Sequence, residues 1–223
     1  MSVMVLVTGG NGFIGSWCVR TLLEQGYRVR TTVRDAGKGD AVTAALGAGV
    51  EVVVADLTRD AGWADAMAGC THVLHVASPL GGTGDLTAPA RDGTLRVLGA
   101  AVAAGVTRVV MTSAAATARD QAGRSDETIW ADAESYEGYR KSKVMAERAA
   151  WAFIAGKPMQ LVTILPGGVF GPQLIKDRLG SLAIIQRLLG KRTDASSAKA
   201  VRMLGFASRP AAETLAASAR SLT

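Results

Sequence analysis

The sequence predicts an α/β protein, a doubly wound, mostly parallel sheet with helices on both faces. Three observations predict it. Short β-rich runs recur six times along the chain, at Val3 to Val7, Tyr27 to Val33, Val50 to Val54, Thr71 to Val76, Arg108 to Thr112 and Met159 to Leu165. Segments with helical spacing separate most of them. Several runs are continuously apolar rather than alternating, as in strands covered on both faces.

Each element has a local cause. Phe13 to Gln25 carries apolar residues at Phe13, Ile14, Trp17, Cys18 and Leu22, a helical period, and Gly26 stops it. Tyr27 to Val33 is rich in β-formers and reads as the second strand. A short helix is expected over Ala41 to Leu46, ended by Gly49 before the third strand. Arg59 to Ala68 reads as a weak helix. Asp85 to Ala104 is a long Ala/Leu/Val helix closed by Gly105. After the fifth strand comes a polar loop, Ala114 to Glu134, longer than most functionally neutral connections. Glu137 to Ala155 reads as a strong helix closed by Gly156, and Pro166-Gly167-Gly168 breaks the sixth strand.

The stretch from Val5 to Cys18, VLVTGGNGFIGSWC, gives this pattern a chemical meaning. A strand runs into Gly9, Gly10, Gly12 and Gly15, and a helix opens at once. Two spacings fit, Gly10-x-Gly12-x-x-Gly15 and Gly9-x-x-Gly12-x-x-Gly15. Strand, glycine turn and helix form the start of a dinucleotide-binding, Rossmann-like unit. Glycine lets the turn tighten and the backbone approach a pyrophosphate. The N–H groups opening the helix, around Phe13 and Ile14, then face that anion along the helix dipole.

The remaining strand ends fall on the same edge of such a sheet, where ligands bind. At the second, Arg34 precedes Asp35, with Lys38 close behind. A guanidinium suits a 2′-phosphate, so NADP is expected as cofactor. In the alternative, Arg34 is a solvated surface residue, Asp35 takes the ribose, and NAD is the cofactor. Asp56 after the third strand reads equally as a contact to adenine or as a helix N-cap.

Tyr139 and Lys143 stand four apart and share a helical face. A free tyrosine, with a pKa of about 10, is a poor acid–base catalyst at neutral pH. A neighbouring ammonium is expected to lower that value and to hold the nicotinamide ribose. Tyr136 is a rival, but its partner four residues on is Arg140, which does not give up a proton. Tyr136 is therefore read as substrate-loop or structural. His72 and His75 are three apart within a strand and point to opposite faces, so no metal is expected from them.

Bulk properties exclude several classes. Of 223 residues, 48% are hydrophobic and 20% charged, enough for one domain with a core. Cys18 and Cys70 do not form a disulfide framework, and a reducing, cytoplasmic setting is expected. No apolar run approaches membrane-spanning length, and the N-terminal apolar segment is too short for a signal peptide. Net charge is +6, but from Leu174 to Thr223 nine Lys/Arg face three Asp/Glu, so the excess lies there. Those basic residues are scattered without interleaved aromatics. They read as a solvated helical face rather than a nucleic-acid surface.

The motifs TGGNGFIG, VRD, ADL, HVASPL, RVVMTSAAAT, YRKSKVMAERAAW and LPGGVFGP occur in this order. Together they resemble the extended short-chain dehydrogenase/reductases, of the NAD-dependent epimerase/dehydratase superfamily, and within them the dihydroflavonol-4-reductase-like aldehyde and ketone reductases. The resemblance covers Met1 to about Gly190. It implies that Gly9, Gly12, Phe13, Ile14 and Gly15 cradle the pyrophosphate, and Arg34 with Lys38 the 2′-phosphate. Asp56 and Leu57 would flank adenine, and Ala77, Ser78 and Pro79 the middle of the cofactor. Pro166, Gly168 and Val169 would line the nicotinamide. Tyr139 would be the proton donor and Lys143 its partner, acting on a small-molecule carbonyl or alcohol. The helices Asp85–Ala104 and Glu137–Ala155 would pair across a two-fold axis in a homodimer.

Two departures stand out. The family places Thr-Ser-Ser after the fifth strand, with the second serine polarising the carbonyl. Here the run is Thr112-Ser113-Ala114. Ser113, or Thr117 further on, is expected to substitute, and a lost donor of this kind costs roughly 3 kcal/mol of barrier. The tail from Asp194 to Thr223 resembles the family's C-terminus, joined through Gly190-Lys191-Arg192 with most of a substrate domain missing between. The expected division is a dinucleotide-binding domain over 1–173 and a short remnant of the substrate domain over 174–223. The leading expectation is an NADP-dependent oxidoreductase. A sugar-nucleotide epimerase or hydroxysteroid-type dehydrogenase, and a non-catalytic or impaired NADP-binding protein, are the alternatives.

Overall fold

A computed structural model of the chain describes residues 3–80, 84–175 and 213. The strands are β1 (Met4–Thr8), β2 (Arg28–Val33), β3 (Val50–Val54), β4 (His72–His75), β5 (Arg108–Thr112) and β6 (Gln160–Ile164). They form one sheet in the order β3-β2-β1-β4-β5-β6, every pair parallel. The order reverses between β1 and β4. A crevice therefore opens there, at the carboxyl ends of the strands.

The helices are α1 (Phe13–Glu24), α2 (Gly37–Leu46), α3 (Trp63–Met67), α4 (Thr87–Ala103) and α5 (Gly138–Ile154). Strand side chains alternate between two apolar layers, as the pleat requires. Val7, Val29 and Val33 meet Val19 of α1 and Val42 of α2 on one face. Leu6, Val73, Val109 and Met111 meet Met67 of α3, Val97 and Leu98 of α4, and Ala146 and Ala150 of α5 on the other. The predicted three-layer architecture is the observed one.

Several boundaries shift for local reasons. Helix α2 starts at Gly37 rather than Ala41, because the Asp35 carboxylate and carbonyl both accept the Lys38 amide. The weak helix shrinks to Trp63–Met67, entered through Gly62 at φ +86°. Asp56 is therefore no helix N-cap. Its Oδ1 accepts from the Thr58 amide and hydroxyl, both at 2.8 Å, in a turn well before α3. The long polar loop is built rather than bare. It holds 3-10 turns at Ala115–Ala118 and Ala133–Ser135 and a bridge between Arg119 and Ser125, and Ala131, Ala133 and Tyr136 pack on Val144 of α5.

Among the described residues, no helix is long and apolar enough to cross a membrane. His72 is partly exposed and His75 buried, on opposite faces of β4. The expected domain boundary, the join at Gly190 and nearly all of the basic tail lie outside the described residues. Leu174 and Ile175, the last residues described before them, pack in the α1–α2 layer.

Candidate active site

The glycine turn fits β1 to α1 with no spare room. Gly9 has φ +73°, and a Cβ on it would stand 3.1 Å from the Ala77 side chain at the end of β4. A Cβ on Gly15 would lie 2.2 Å from the Gly9 carbonyl oxygen. The first turn of α1 thus presses on the loop so closely that only glycine fits. Gly12 is the N-cap of α1, no side chain caps it, and the first turn holds no acidic residue. The Phe13 and Ile14 end of the helix is left with its positive dipole pole toward the crevice. A backbone cradle of this kind fits the pyrophosphate of the expected dinucleotide.

A buried hydroxyl ties the two strands beside this cradle. Thr8 Oγ1 accepts from the Val76 and Ala77 amides at 3.0 and 2.9 Å. With its oxygen so engaged, the Thr8 proton points to His75 Nδ1, 3.0 Å away. That assigns His75 the Nε2–H tautomer, with Thr94 Oγ1 of α4 at 3.5 Å from Nε2. Burial foremost, and then the Lys143 ammonium, push the His75 imidazolium down to about pKa 3, so the ring is neutral. The network fixes where Ala77, Ser78 and Pro79 leave the sheet.

The residues expected on the adenosine side lie at the tips of β2 and β3. Arg34 is exposed there, directly after Val33. Asp56 lies within electrostatic reach of it. Partial burial resists ionisation of the Asp56 carboxyl, but the Thr58 amide and hydroxyl outweigh it, aided by Arg34 and Arg59, and its pKa is lowered. Leu57 packs against Gly93 of α4. The Asp35 carboxylate accepts from the Lys38 amide at 3.2 Å.

At the other end of the crevice, α5 is fastened to the tip of β5. Lys143 is buried, and its Nζ donates to the Thr112 carbonyl at 2.7 Å. Burial lowers the Lys143 ammonium to about pKa 8, against the opposing pull of Glu147. Tyr139 lies one turn earlier on α5 and is 39% exposed at the opening. The expected lowering of its pKa is not what the structure gives. Partial burial raises the Tyr139 phenol instead, while the Lys143 ammonium is bonded to the Thr112 carbonyl. At neutral pH the Tyr139 phenol therefore keeps its proton.

Ser113 also departs from expectation. It is 2% exposed, and its hydroxyl donates to Glu147 of α5, with Thr117 Oγ1 at 3.5 Å. Its odd-position register on β5, with Val109 and Met111, turns it into the α4–α5 layer. Thr117 is buried as well, its hydroxyl given to the Ala114 carbonyl at 2.8 Å. Neither hydroxyl is presented to a substrate carbonyl here. Pro166 is held beside this segment by the Ala115 amide, 2.9 Å from its carbonyl oxygen, with Gly168 and Val169 following. Tyr136 packs structurally, its ring 5.9 Å from the Arg140 guanidinium.

Three residues that matter here, Thr8, Thr94 and Glu147, carry no sequence signal of their own. Thr8 sits in a strand where β-branched residues are ordinary. Glu147, at position i+4 from Lys143, reads as a solvent-facing helix charge until the helix is docked.

The comparisons agree with this fold. The profile of the "NAD dependent epimerase/dehydratase family" matches residues 5–208. A dihydroflavonol 4-reductase of Zea mays is 38% identical over 189 residues, covering 75% of this chain and 53% of that protein. Cinnamoyl-CoA reductase 1 of rice is 39% identical over 186 residues, covering 77% and 54%. The chain thus spans about half the length of the curated relatives it matches. Among solved structures, a yeast methylglyoxal/isovaleraldehyde reductase complexed with NADPH superposes with a TM-score of 0.75 at 27% identity, over 86% of this chain and 68% of that one. Vestitone reductase from alfalfa gives a TM-score of 0.70 at 30% identity, over 83% and 63%. With a glycine cradle at the switch point, a parallel six-stranded sheet and a profile match over most of its length, the chain belongs to the NAD-dependent epimerase/dehydratase family, where it resembles the dihydroflavonol-reductase-like reductases.

Proposed function

We propose that the chain is an NADP-dependent oxidoreductase acting on a small carbonyl or alcohol substrate. One observation carries this reading: Tyr139 stands at the opening of the crevice, one turn from a buried Lys143 fixed to the end of β5. The bound nicotinamide would supply or accept the hydride at the carbonyl carbon. Gly9, Gly12 and Gly15 admit the pyrophosphate, and Phe13 and Ile14 offer it the pole of α1. Arg34, with Lys38, holds the 2′-phosphate, and Asp56 and Leu57 bound the adenine side. Ala77, Ser78 and Pro79 carry the middle, and Pro166, Gly168 and Val169 the nicotinamide side. Tyr139 gives its phenolic proton to the substrate oxygen. Lys143 spends one N–H on Thr112 and keeps two for the ribose and for Tyr139 as it loses its proton. A homodimer through α4 and α5 is part of the same reading, and light scattering would measure it.

Supporting the reading are the NADPH bound in the solved yeast reductase and the reductase names of the relatives. Its test is NADPH oxidation over a panel of aldehydes and ketones, with the parent compared with Tyr139→Phe. The inward turn of Ser113 favours a second reading, a nucleotide-binding protein with weak or no turnover. That reading expects NADPH binding by calorimetry with no carbonyl reduced.

A further inference from the structure

The i, i+4 pair Lys143 and Glu147 meets two consecutive residues at the end of β5. Lys143 donates to the Thr112 carbonyl, and Ser113 donates to Glu147. Lys143 and Glu147 are each 3% exposed. An ammonium buried this deeply is costly unless a countercharge stands near it. The titratable groups facing Lys143 are few. Glu147 and Tyr139 lie one turn away on either side along α5, and His75 approaches from β4. Thr112, which accepts from Lys143, and Ser113, which donates to Glu147, carry no charge. His75 is held neutral by its burial and by Lys143 itself, so it brings no countercharge. Glu147 is the one acid of the set.

We propose that Glu147 is a positioning residue for the reductase: its buried carboxylate keeps Lys143 in the ammonium form and, through Ser113, fastens α5 to the end of β5 one turn from Tyr139. In this chain Ser113 belongs to that fastening. The proposal rests on the functional reading of Tyr139 and Lys143, but its central statement concerns a charge that is measurable without turnover. The two side chains are buried one helical turn apart on α5, where the Glu147 charge works against the effect of burial on Lys143.

The test is the titration of Lys143 in the full chain labelled with ¹³C at lysine Cε, its resonance assigned by comparison with Lys143→Met. In Glu147→Gln, which keeps the shape and the bond to Ser113, the Lys143 midpoint is expected to fall by about one pH unit or more. In Ser113→Ala it is expected to stay with the parent, since no charge is removed. A Glu147→Gln midpoint within about 0.3 units of the parent overturns the proposal. If Glu147→Gln does not fold, the same question is put to the unaltered protein through the ¹³Cδ resonance of Glu147. A carboxylate at pH 7 supports the proposal and a protonated acid overturns it. In an active enzyme the alkaline limb of kcat/KM should move with Lys143, and Glu147→Asp should restore part of it. If the parent reduces no carbonyl, the functional reading fails while the Lys143 titration still decides the role of Glu147.

Discussion

Tyr139 and Lys143 are divided in environment: the phenol is partly exposed at the crevice, whereas the ammonium is buried and bonded to the Thr112 carbonyl. Positioned proton transfer is worth about 10²–10⁴-fold in rate, so Tyr139→Phe is expected to lower kcat by that factor while NADPH affinity is retained. Steady-state kinetics beside calorimetry would separate the two effects. Arg34 is exposed at the tip of β2, and in the proposed reading it contributes only to a phosphorylated ribose. Arg34→Ala should weaken NADPH about 10–100-fold, the worth of charge-assisted hydrogen bonds, and leave NADH nearly unchanged. A paired titration with both cofactors checks it. The shared helical face of Tyr139 and Lys143 and the place of Arg34 at a strand end were legible in the sequence, because each depends on local spacing. The inward turn of Ser113 was not. It depends on a Glu147 carboxylate 34 residues away, which reaches β5 only once α5 is docked.

At the scale of elements, the β1–α1 unit shows how tightly a nucleotide cradle constrains backbone. A methyl group on Gly15 has nowhere to go but into the Gly9 carbonyl oxygen, 2.2 Å away. Gly15→Ala should therefore cost about 1–3 kcal/mol of stability and displace α1, with NADPH binding lost before the fold is. Urea unfolding and a cofactor titration on the same preparation would show both. The α4–α5 layer tests the opposite side. Leu98 is fully buried among Met67, Val109 and Ala146, and Leu98→Ala should lower stability by about 2–5 kcal/mol. Strand and helix identities followed from period and punctuation. Their ends did not, where a side chain decided them: Asp35 lengthens α2 by taking the Lys38 amide, and Asp56 spends its carboxylate on Thr58 instead of capping α3.

The whole molecule couples its sheet to pH through the neutral His75 at its centre. An unfolded histidine titrates near 6.5, whereas folded His75 does so at about 3. Between these values the unfolded chain binds the extra proton, so stability should rise with pH from about 3 to about 6.5 by at most ~1.4 kcal/mol per unit, then level off. His75→Gln should flatten that slope in denaturant titrations run across the range. The parallel order β3-β2-β1-β4-β5-β6 was legible in advance, because β-rich runs alternating with helices leave few other solutions. The polar network of Thr8, His75, Thr94, Lys143 and Glu147 was not, since its members come from β1, β4, α4 and α5 and become neighbours only through that order. The central claim is that this crevice binds NADPH and uses Tyr139 to protonate a carbonyl oxygen. It is tested most directly by calorimetric NADPH titration and single-turnover carbonyl reduction on the parent and on Tyr139→Phe. The account expects equal NADPH binding by both proteins and reduction by the parent alone. Equal reduction by both proteins, or no NADPH binding by either, would contradict it.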